Sequence, residues 1–146
     1  MQKITPFLWF NNQAEEAAKF YCSILKNSKI INCNPMVTTF ELDGRQYMAL
    51  NGGSTFKLNE SFSLLISCET QEEVDDLWEK LSADGEDSRC GWLKDKYGLS
   101  WQVIPTILGK LMSDPDRAKA KRVVDAMMTM KKIDIAGLQK AYNGKI

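Results

Sequence analysis

Residues 62–85, FSLLISCETQEEVDDLWEKLSADG, decide the fold because a strand and a helix follow one another there with clear boundaries. From Phe62 to Cys68 apolar residues alternate with others, which predicts a strand with one buried face. Thr70 and Glu73 form a capping box that starts a helix. Asp84-Gly85 ends that helix. The helix has an apolar stripe of four residues: Val74, Leu77, Trp78 and Leu81.

Two further strands follow this helix. Arg89–Leu93 and Ser100–Ile104 flank a turn at Lys96-Tyr97-Gly98. Glycine supplies the backbone freedom that such a turn needs. The segment from 62 to 104 is therefore one unit of strand, helix and antiparallel strands.

The same order of elements precedes it. Ile4–Phe10 is a predicted strand, and Asn12 with Glu15 predicts the start of a helix that ends near Asn27. Asp43-Gly44 is a strong hairpin signal. The predicted strands of this first unit after its helix are Lys29–Cys33, Met36–Leu42 and Arg45–Leu50.

The two units indicate a single α+β domain, 1–146, built from paired modules. Module 1 is predicted at 1–58, module 2 at 59–105, and a helical tail at 106–146. One such unit alone cannot bury its apolar face, so the two are expected to pack as a pair. The tail is predicted to contain a helix over Thr106–Met112, a second after Asp114-Pro115 and a third capped by Asp134.

Composition excludes several classes of function. Lys and Arg together number 19, as do Asp and Glu, which argues against a nucleic-acid binder. The chain has no apolar run of about 18 residues, so no membrane span is predicted. The first residues lack the basic-then-apolar layout of a signal peptide, so we expect a cytoplasmic protein.

The charge is unevenly distributed along the chain. Residues 1–104 hold 10 basic and 15 acidic residues, whereas residues 105–146 hold 9 basic and 4 acidic residues. The basic tail is expected to dock on the acidic body or on a second subunit, with an anionic partner as the alternative. The methionine-rich segment 127–130 is expected to serve helix packing or a dimer contact, although such faces can also bind varied partners.

Metal-binding signals are absent from the sequence. The chain has no histidine, and its four cysteines (Cys22, Cys33, Cys68 and Cys90) form no C-x-x-C pair. This pattern disfavours a zinc site. Most of the cysteines are expected to be small buried apolar groups.

Several phrases resemble one protein family. Residues 4–10, ITPFLWF, with AEEA at 14–17, resemble the opening of PhnB-like proteins of the vicinal-oxygen-chelate (glyoxalase, bleomycin-resistance and dioxygenase) superfamily. LNGG at 50–53 and CETQEEVD at 68–75 are also similar. The most specific phrase is CGWLKDKYGLSWQVIP at 90–105. Some members of this branch are labelled demethylubiquinone methyltransferase-like.

The resemblance implies paired βαβββ modules that form a curved mixed sheet enclosing a pocket, and a homodimer. It also implies a divalent metal held by four pocket-facing side chains, which would polarise a substrate. Counting back from the helices places those positions at Pro6, Ser63, Gln102 and Met48, or at Leu50 instead of Met48 if the register slips by two. Such side chains are poor or absent ligands, so no metal and no other cofactor is predicted.

Side chains alternate between the two faces of a strand, so every second residue from Pro6, Met48, Ser63 and Gln102 is expected to face the pocket. These residues predict an apolar, aromatic pocket with a few neutral polar groups. Gln102 is the best candidate for orienting a ligand, although a structural hydrogen bond to the opposite strand is equally consistent with it. Packing is favoured over nucleophilic catalysis for Cys90, and turn formation over acid catalysis for Asp95. The candidate pocket residues are Leu8, Phe10, Met48, Leu50, Ser63, Leu65, Ser67, Cys90, Trp92 and Gln102, while Trp9 and Trp101 are expected to face the helices.

Three hypotheses for function follow. The first is a metal-free protein that binds a small organic molecule, with Trp92 and Phe10 as stacking surfaces. The second is an enzyme of the same superfamily, of glyoxalase, dioxygenase or methyltransferase type, that acts on an unidentified small molecule either without metal or with a cofactor brought by its substrate. The third is a dimeric interaction module whose pocket is filled by side chains. Sequence alone leaves catalysis and the identity of the ligand open.

Overall fold

Module 1 forms a four-stranded mixed sheet, sheet 1, in the computed structural model, which describes residues 2–144. The strand order is β1-β4-β3-β2, with β1 parallel to β4 and the other pairs antiparallel. The chain divides into two compact units between Asn59 and Glu60. The elements of the first unit are β1 (Phe7–Phe10), α1 (Ala14–Ile24), β2 (Lys29–Cys33), β3 (Val37–Leu42) and β4 (Arg45–Asn51).

Helix α1 covers one face of sheet 1. The buried residues of the helix are Ala14, Ala17, Ala18 and Tyr21. Tyr21 contacts Phe40 of β3, with ring centroids 6.5 Å apart. Cross-strand pairing carries this face across the sheet. Phe40 of β3 is paired with Tyr47 of β4. Ala49 lies on the same face of β4 as Tyr47 and is paired with Leu8 of β1. The face that contains Leu8 and Phe40 is therefore the one that packs on the helix.

Module 2 repeats this arrangement as sheet 2, in the order β5-β8-β7-β6. Thr70 caps α2 by accepting a hydrogen bond from the Glu73 backbone N–H at 3.2 Å, as the capping box predicts. Helix α2 packs on β7 and β8. The elements are β5 (Ser63–Cys68), α2 (Gln71–Ser82), β6 (Glu86–Asp87), β7 (Trp92–Lys94) and β8 (Ser100–Pro105).

The tail forms three helices, α3 (Thr106–Met112), α4 (Arg117–Met127) and α5 (Ile135–Tyr142). Their shared core consists of Leu108, Val123, Ile133 and Leu138.

Gln71 at the start of α2 anchors the tail by donating to the Ile133 carbonyl at 3.0 Å and accepting from the Ile135 N–H at 2.7 Å. Lys132 of the tail forms an ion pair with Asp75 of α2 at 2.9 Å, which is one contact of the kind expected between the basic tail and the acidic body.

Several element boundaries differ from the predicted ones. Helix α1 begins after Gln13, not Asn12, and its first N–H is bonded at 2.9 Å by the Asn51 side chain from β4. A cap supplied by a residue distant in sequence leaves no local signal. In the tail, Asp116 rather than Asp114 caps α4, accepting from the backbone N–H groups of Ala118 and Lys119.

The predicted α+β class with two βαβββ modules and a helical tail is confirmed. The outer bounds predicted at Met1 and Ile146 lie outside the described residues. Among residues 2–144, no helix is both long enough and apolar enough to cross a membrane.

Candidate functional site

Five of the predicted pocket residues lie together on the face of sheet 2 that points away from α2. We call this the far face of sheet 2. Leu65 pairs with Gln102 and Trp92 pairs with Gln102 across the two neighbouring strands, and paired residues project to the same side. The residues on this face from the predicted set are Ser63, Leu65, Ser67, Trp92 and Gln102. Trp101 projects the opposite way and is buried, as predicted.

The far face of sheet 2 is accessible at its centre. Leu65 is 54% exposed, and Trp92 and Gln102 are half-buried. Gln102 Nε2 donates to Ser63 Oγ at 3.0 Å, which is the bond to a neighbouring strand that the sequence left open. That bond still leaves the Gln102 carbonyl and the Ser63 O–H hydrogen for other partners.

Two further polar residues lie on this face: alternation from Gln102 predicts Ser100 there, whereas Lys94 was not predicted. Ser100 pairs with both Ser63 and Lys94, so these three form one row across β5, β8 and β7. The Lys94 ammonium lies 3.3 Å from the Glu60 carboxylate, and the pKa of Glu60 is lowered by its own backbone hydrogen bond and then by Lys94. Ser100 is 1% exposed, and its Oγ has no hydrogen-bond partner within residues 2–144. The alternation of side chains along β8 places Ser100 on the same face as Gln102. What sets Ser100 apart is that its hydroxyl is buried without a hydrogen-bond partner, which the sequence does not show.

Asp95 organises the turn between β7 and β8. Its Oδ1 accepts from the backbone N–H groups of Tyr97 and Leu99 at 2.9 and 3.1 Å, and its Oδ2 accepts from Trp101 Nε1 at 2.8 Å. The residue is buried. These bonds occupy the carboxylate in holding the turn, in agreement with the turn-forming interpretation.

The candidates of module 1 fall on two different faces of sheet 1. Met48 and Leu50 lie on the face away from α1, the far face of sheet 1, because they pair with Phe7 and Trp9. The assignment of Leu8 and Phe10 to the same face as Met48 was wrong. Both are buried beneath α1, at 2% and 3% exposure.

Trp9, which was expected to face the helix, lies on the far face of sheet 1 instead. Its indole N–H donates to the Gly53 carbonyl at 2.9 Å, and its ring meets Phe56 edge-on, with centroids 5.0 Å apart. A Cβ on Gly52 would lie 2.4 Å from the Trp9 ring, so this glycine allows the loop to cross the indole. Phe7, Trp9 and Phe56 were not among the predicted pocket residues, and none of them belongs to the far face of sheet 2.

Cys90 is not on the far face of sheet 2. Its backbone has a φ of 58°, and β7 begins only at Trp92, so strand alternation does not extend to it. The Cys90 thiol instead contacts the Met128 sulfur at 3.8 Å, and its N–H bonds to the Met130 carbonyl. The expected parity with Trp92 was therefore wrong. The thiol packs against the tail but is only half-buried, and since Cys68 alone of the four described cysteines is buried, the expectation that most of them are buried was wrong as well.

Comparison with known proteins supports one family. A family model described as 3-demethylubiquinone-9 3-methyltransferase matches residues 2–104. The PhnB protein from Bacillus cereus is 35% identical over 72% of this chain and 100% of its own, with a TM-score of 0.66. The chain belongs to this PhnB-like family of the vicinal-oxygen-chelate superfamily. No curated protein matches it at a comparable level of significance.

More distant structures share the PhnB-like fold. The fosfomycin resistance protein FosX from Listeria monocytogenes is 15% identical, covering 72% of this chain and 93% of its own, with a TM-score of 0.54. A glyoxalase-related enzyme from Fulvimarina pelagi is 13% identical, with coverages of 74% and 91% and a TM-score of 0.51. The tail helices lie beyond the matched residues 2–104.

The PhnB-like chain does not fit the divalent metal of the superfamily. With β1 in its observed register, the far-face position at the start of β1 is Phe7 rather than Pro6, and Phe7 has no donor atom. Met48 or Leu50, Ser63 and Gln102 complete the set and offer only soft or neutral groups. Within residues 2–144, no group of three His, Cys, Asp or Glu side chains is placed to hold a metal ion.

The glycines after β4 do not belong to a loop of the kind that usually binds a nucleotide-like cofactor. Gly52 and Gly53 follow β4, but the next element is strand β5, so the arrangement of strand, glycine-rich loop and helix is not formed there. Gly52 is explained by its contact with the Trp9 ring. The methyltransferase description therefore belongs to the family model and finds no support in these residues.

Proposed function

We propose that the protein binds a small organic molecule on the far face of sheet 2, without a metal. The observation behind the proposal is that Trp92, Leu65 and the Ser63–Gln102 pair share this face while part of each apolar side chain stays exposed. An aromatic surface beside a few neutral hydrogen-bonding groups is how sites for small organic molecules are usually built. Trp92 provides the stacking surface in this proposal, and Phe10 no longer qualifies because it is buried beneath α1.

Binding is favoured over catalysis by the state of the titratable groups. The Asp95 carboxylate is occupied by three hydrogen bonds in the turn. Lys94, whose side chain lies beside Ser100, forms an ion pair with the Glu60 carboxylate at 3.3 Å. Neither group is therefore placed to act as a general base on a serine of this face.

The cytoplasmic location and the homodimer are also proposals, and only the homodimer rests on the resemblance of the sequence to PhnB-like proteins. No particular contact in residues 2–144 is assigned to a second subunit.

Trp92→Ala tests the proposed site. With 4-fluorobenzamide as a neutral planar probe, ¹⁹F NMR measures the dissociation constant for the wild-type and variant proteins. Loss of a contact that removes roughly 80 Å² of apolar surface from water, at about 25 cal/mol/Å², amounts to about 2 kcal/mol, or about thirtyfold in affinity.

Two controls accompany this experiment. Trp92→Phe keeps an aromatic ring and is expected to retain most of the affinity. Phe56→Ala removes an aromatic residue that is 63% exposed in the other unit, and is expected to leave the affinity unchanged. Unchanged affinity in Trp92→Ala would reject the far face of sheet 2 as the binding surface.

A further inference from the structure

One row of side chains on the far face of sheet 2 can offer a ligand three hydrogen-bond donors, one of which is cationic. Ser63, Ser100 and Lys94 are cross-strand partners on β5, β8 and β7, and neighbouring strands lie about 4.8 Å apart. The Ser63 oxygen already accepts a hydrogen bond from Gln102, and the Ser63 O–H group can still donate a hydrogen bond to a ligand. Lys94 has an ammonium group, which donates and never accepts.

Ser100 is the second, independent feature of the row. Its hydroxyl is buried and has no hydrogen-bond partner within residues 2–144. A buried polar group without a partner is costly, because it has lost water and gained nothing in exchange. An acceptor atom placed on this row would recover that cost.

We infer that the small molecule carries a carboxylate that is held by Ser63, Ser100 and Lys94. This inference rests on the proposed function and names the chemical class of its ligand. A carboxylate accepts hydrogen bonds and donates none, which complements a row of donors. The row contains one cation, so a singly charged head group balances it better than a doubly charged one. The apolar part of the ligand then lies toward Leu65 and Trp92, in the next row of the sheet.

Glu60 competes with the ligand for Lys94 in this arrangement. The Glu60 carboxylate lies 3.3 Å from the Lys94 ammonium, and its side chain is 69% exposed. The Lys94 side chain is 29% exposed, so the pair is only partly exposed, and the ligand carboxylate must replace the contact that Glu60 makes with Lys94. Because Ser100 is only 1% exposed, the side chains that cover its hydroxyl must move when the ligand binds.

A matched pair of probes tests the inference. 4-Fluorobenzoate and 4-fluorobenzamide share the same ring and differ in charge, and ¹⁹F NMR measures both dissociation constants. We expect 4-fluorobenzoate to bind the wild-type protein about tenfold more tightly, as one charge-assisted contact implies. Lys94→Met should abolish this preference. Glu60→Gln should tighten binding of the benzoate and leave that of the benzamide unchanged, because it removes the competing carboxylate.

Ser100→Ala distinguishes ligand binding from a structural role. Removing an unpartnered hydroxyl should raise the Tm of the free protein and yet weaken 4-fluorobenzoate binding. The matched controls are Lys80→Met and Asp76→Asn, which break an exposed ion pair of 3.1 Å on α2 and should leave both affinities unchanged.

Each outcome decides between the two proposals. If both probes bind equally well and Trp92→Ala weakens both, the carboxylate inference fails and the proposed binding surface stands. If Lys94→Met keeps the preference for the benzoate, the inference also fails. If neither probe binds the wild-type protein, both proposals are overturned.

Discussion

Asp95→Asn is expected to destabilise the protein through its bond to Trp101. The carboxylate accepts three hydrogen bonds in a buried position: two from backbone N–H groups at 2.9 and 3.1 Å, and one from Trp101 Nε1 at 2.8 Å. An asparagine can keep its oxygen toward the two backbone donors only by turning its NH₂ group toward the indole N–H. One charge-assisted bond is then lost, at about 1.5–3 kcal/mol.

A double-mutant cycle with Trp101→Phe isolates this bond. In the Trp101→Phe background the indole donor is absent, so Asp95→Asn should cost about 1.5–3 kcal/mol less than in the wild-type protein. Urea unfolding followed by far-UV circular dichroism gives the four free energies of unfolding without relying on tryptophan fluorescence. A coupling energy near zero would refute the assignment of Asp95 to turn stabilisation through Trp101.

Two further predictions concern titratable groups. The Tyr142 hydroxyl donates to Asp114, which lowers the pKa of Asp114 and raises that of Tyr142. The stabilisation of the tail by this bond should be fully present between the ordinary pKa of Asp and the ordinary pKa of Tyr. It should be lost as the pH falls through the lowered pKa of Asp114, and also as the pH rises through the raised pKa of Tyr142. Tyr142→Phe should flatten both limbs of a Tm-versus-pH profile, and unaltered limbs would contradict the assignment. Burial raises the pKa of the Cys68 thiol to about 12, so a thiol reagent at neutral pH should modify the exposed Cys33 rapidly and Cys68 only after unfolding. Rapid modification of Cys68 in the folded protein would contradict its burial.

The sequence predicts β5, α2 and β8 of module 2 well because their signals are local, whereas β6 was not predicted and β7 begins at Trp92 rather than at Arg89. The capping box at Thr70 sets the start of α2, and counting back from it places Ser63 and Leu65 on the correct face of β5. The alternation that exposes Gln102 also buries Trp101. Here the helix start, the strand pattern and the turn residues all agree.

In module 1, the side chains of β1 were assigned to the wrong face because the spacing between strand and helix differs by one residue from that in module 2. Trp9 lies four positions before the N-cap Gln13, whereas Leu65 lies five positions before the N-cap Thr70, and both occupy far faces. A shift of one residue reverses every side chain of a strand. The true cap of α1 comes from Asn51, which no local pattern reveals.

Two features of the site depend on tertiary structure alone. Cys90 leaves the strand pattern because its positive φ and its bond to the Met130 carbonyl place it against the tail. The importance of Ser100 follows from its burial without a hydrogen-bond partner, which alternation cannot predict.

Native mass spectrometry of freshly purified, untagged protein tests the central claim most directly, since it reports bound metals and bound organic molecules together. Our account predicts a small organic mass on the folded protein, lost on denaturation, and no stoichiometric divalent metal. A stoichiometric zinc, nickel, iron or manganese ion would contradict the account, because Phe7, Met48, Leu50, Ser63 and Gln102 offer no set of ligands for such an ion.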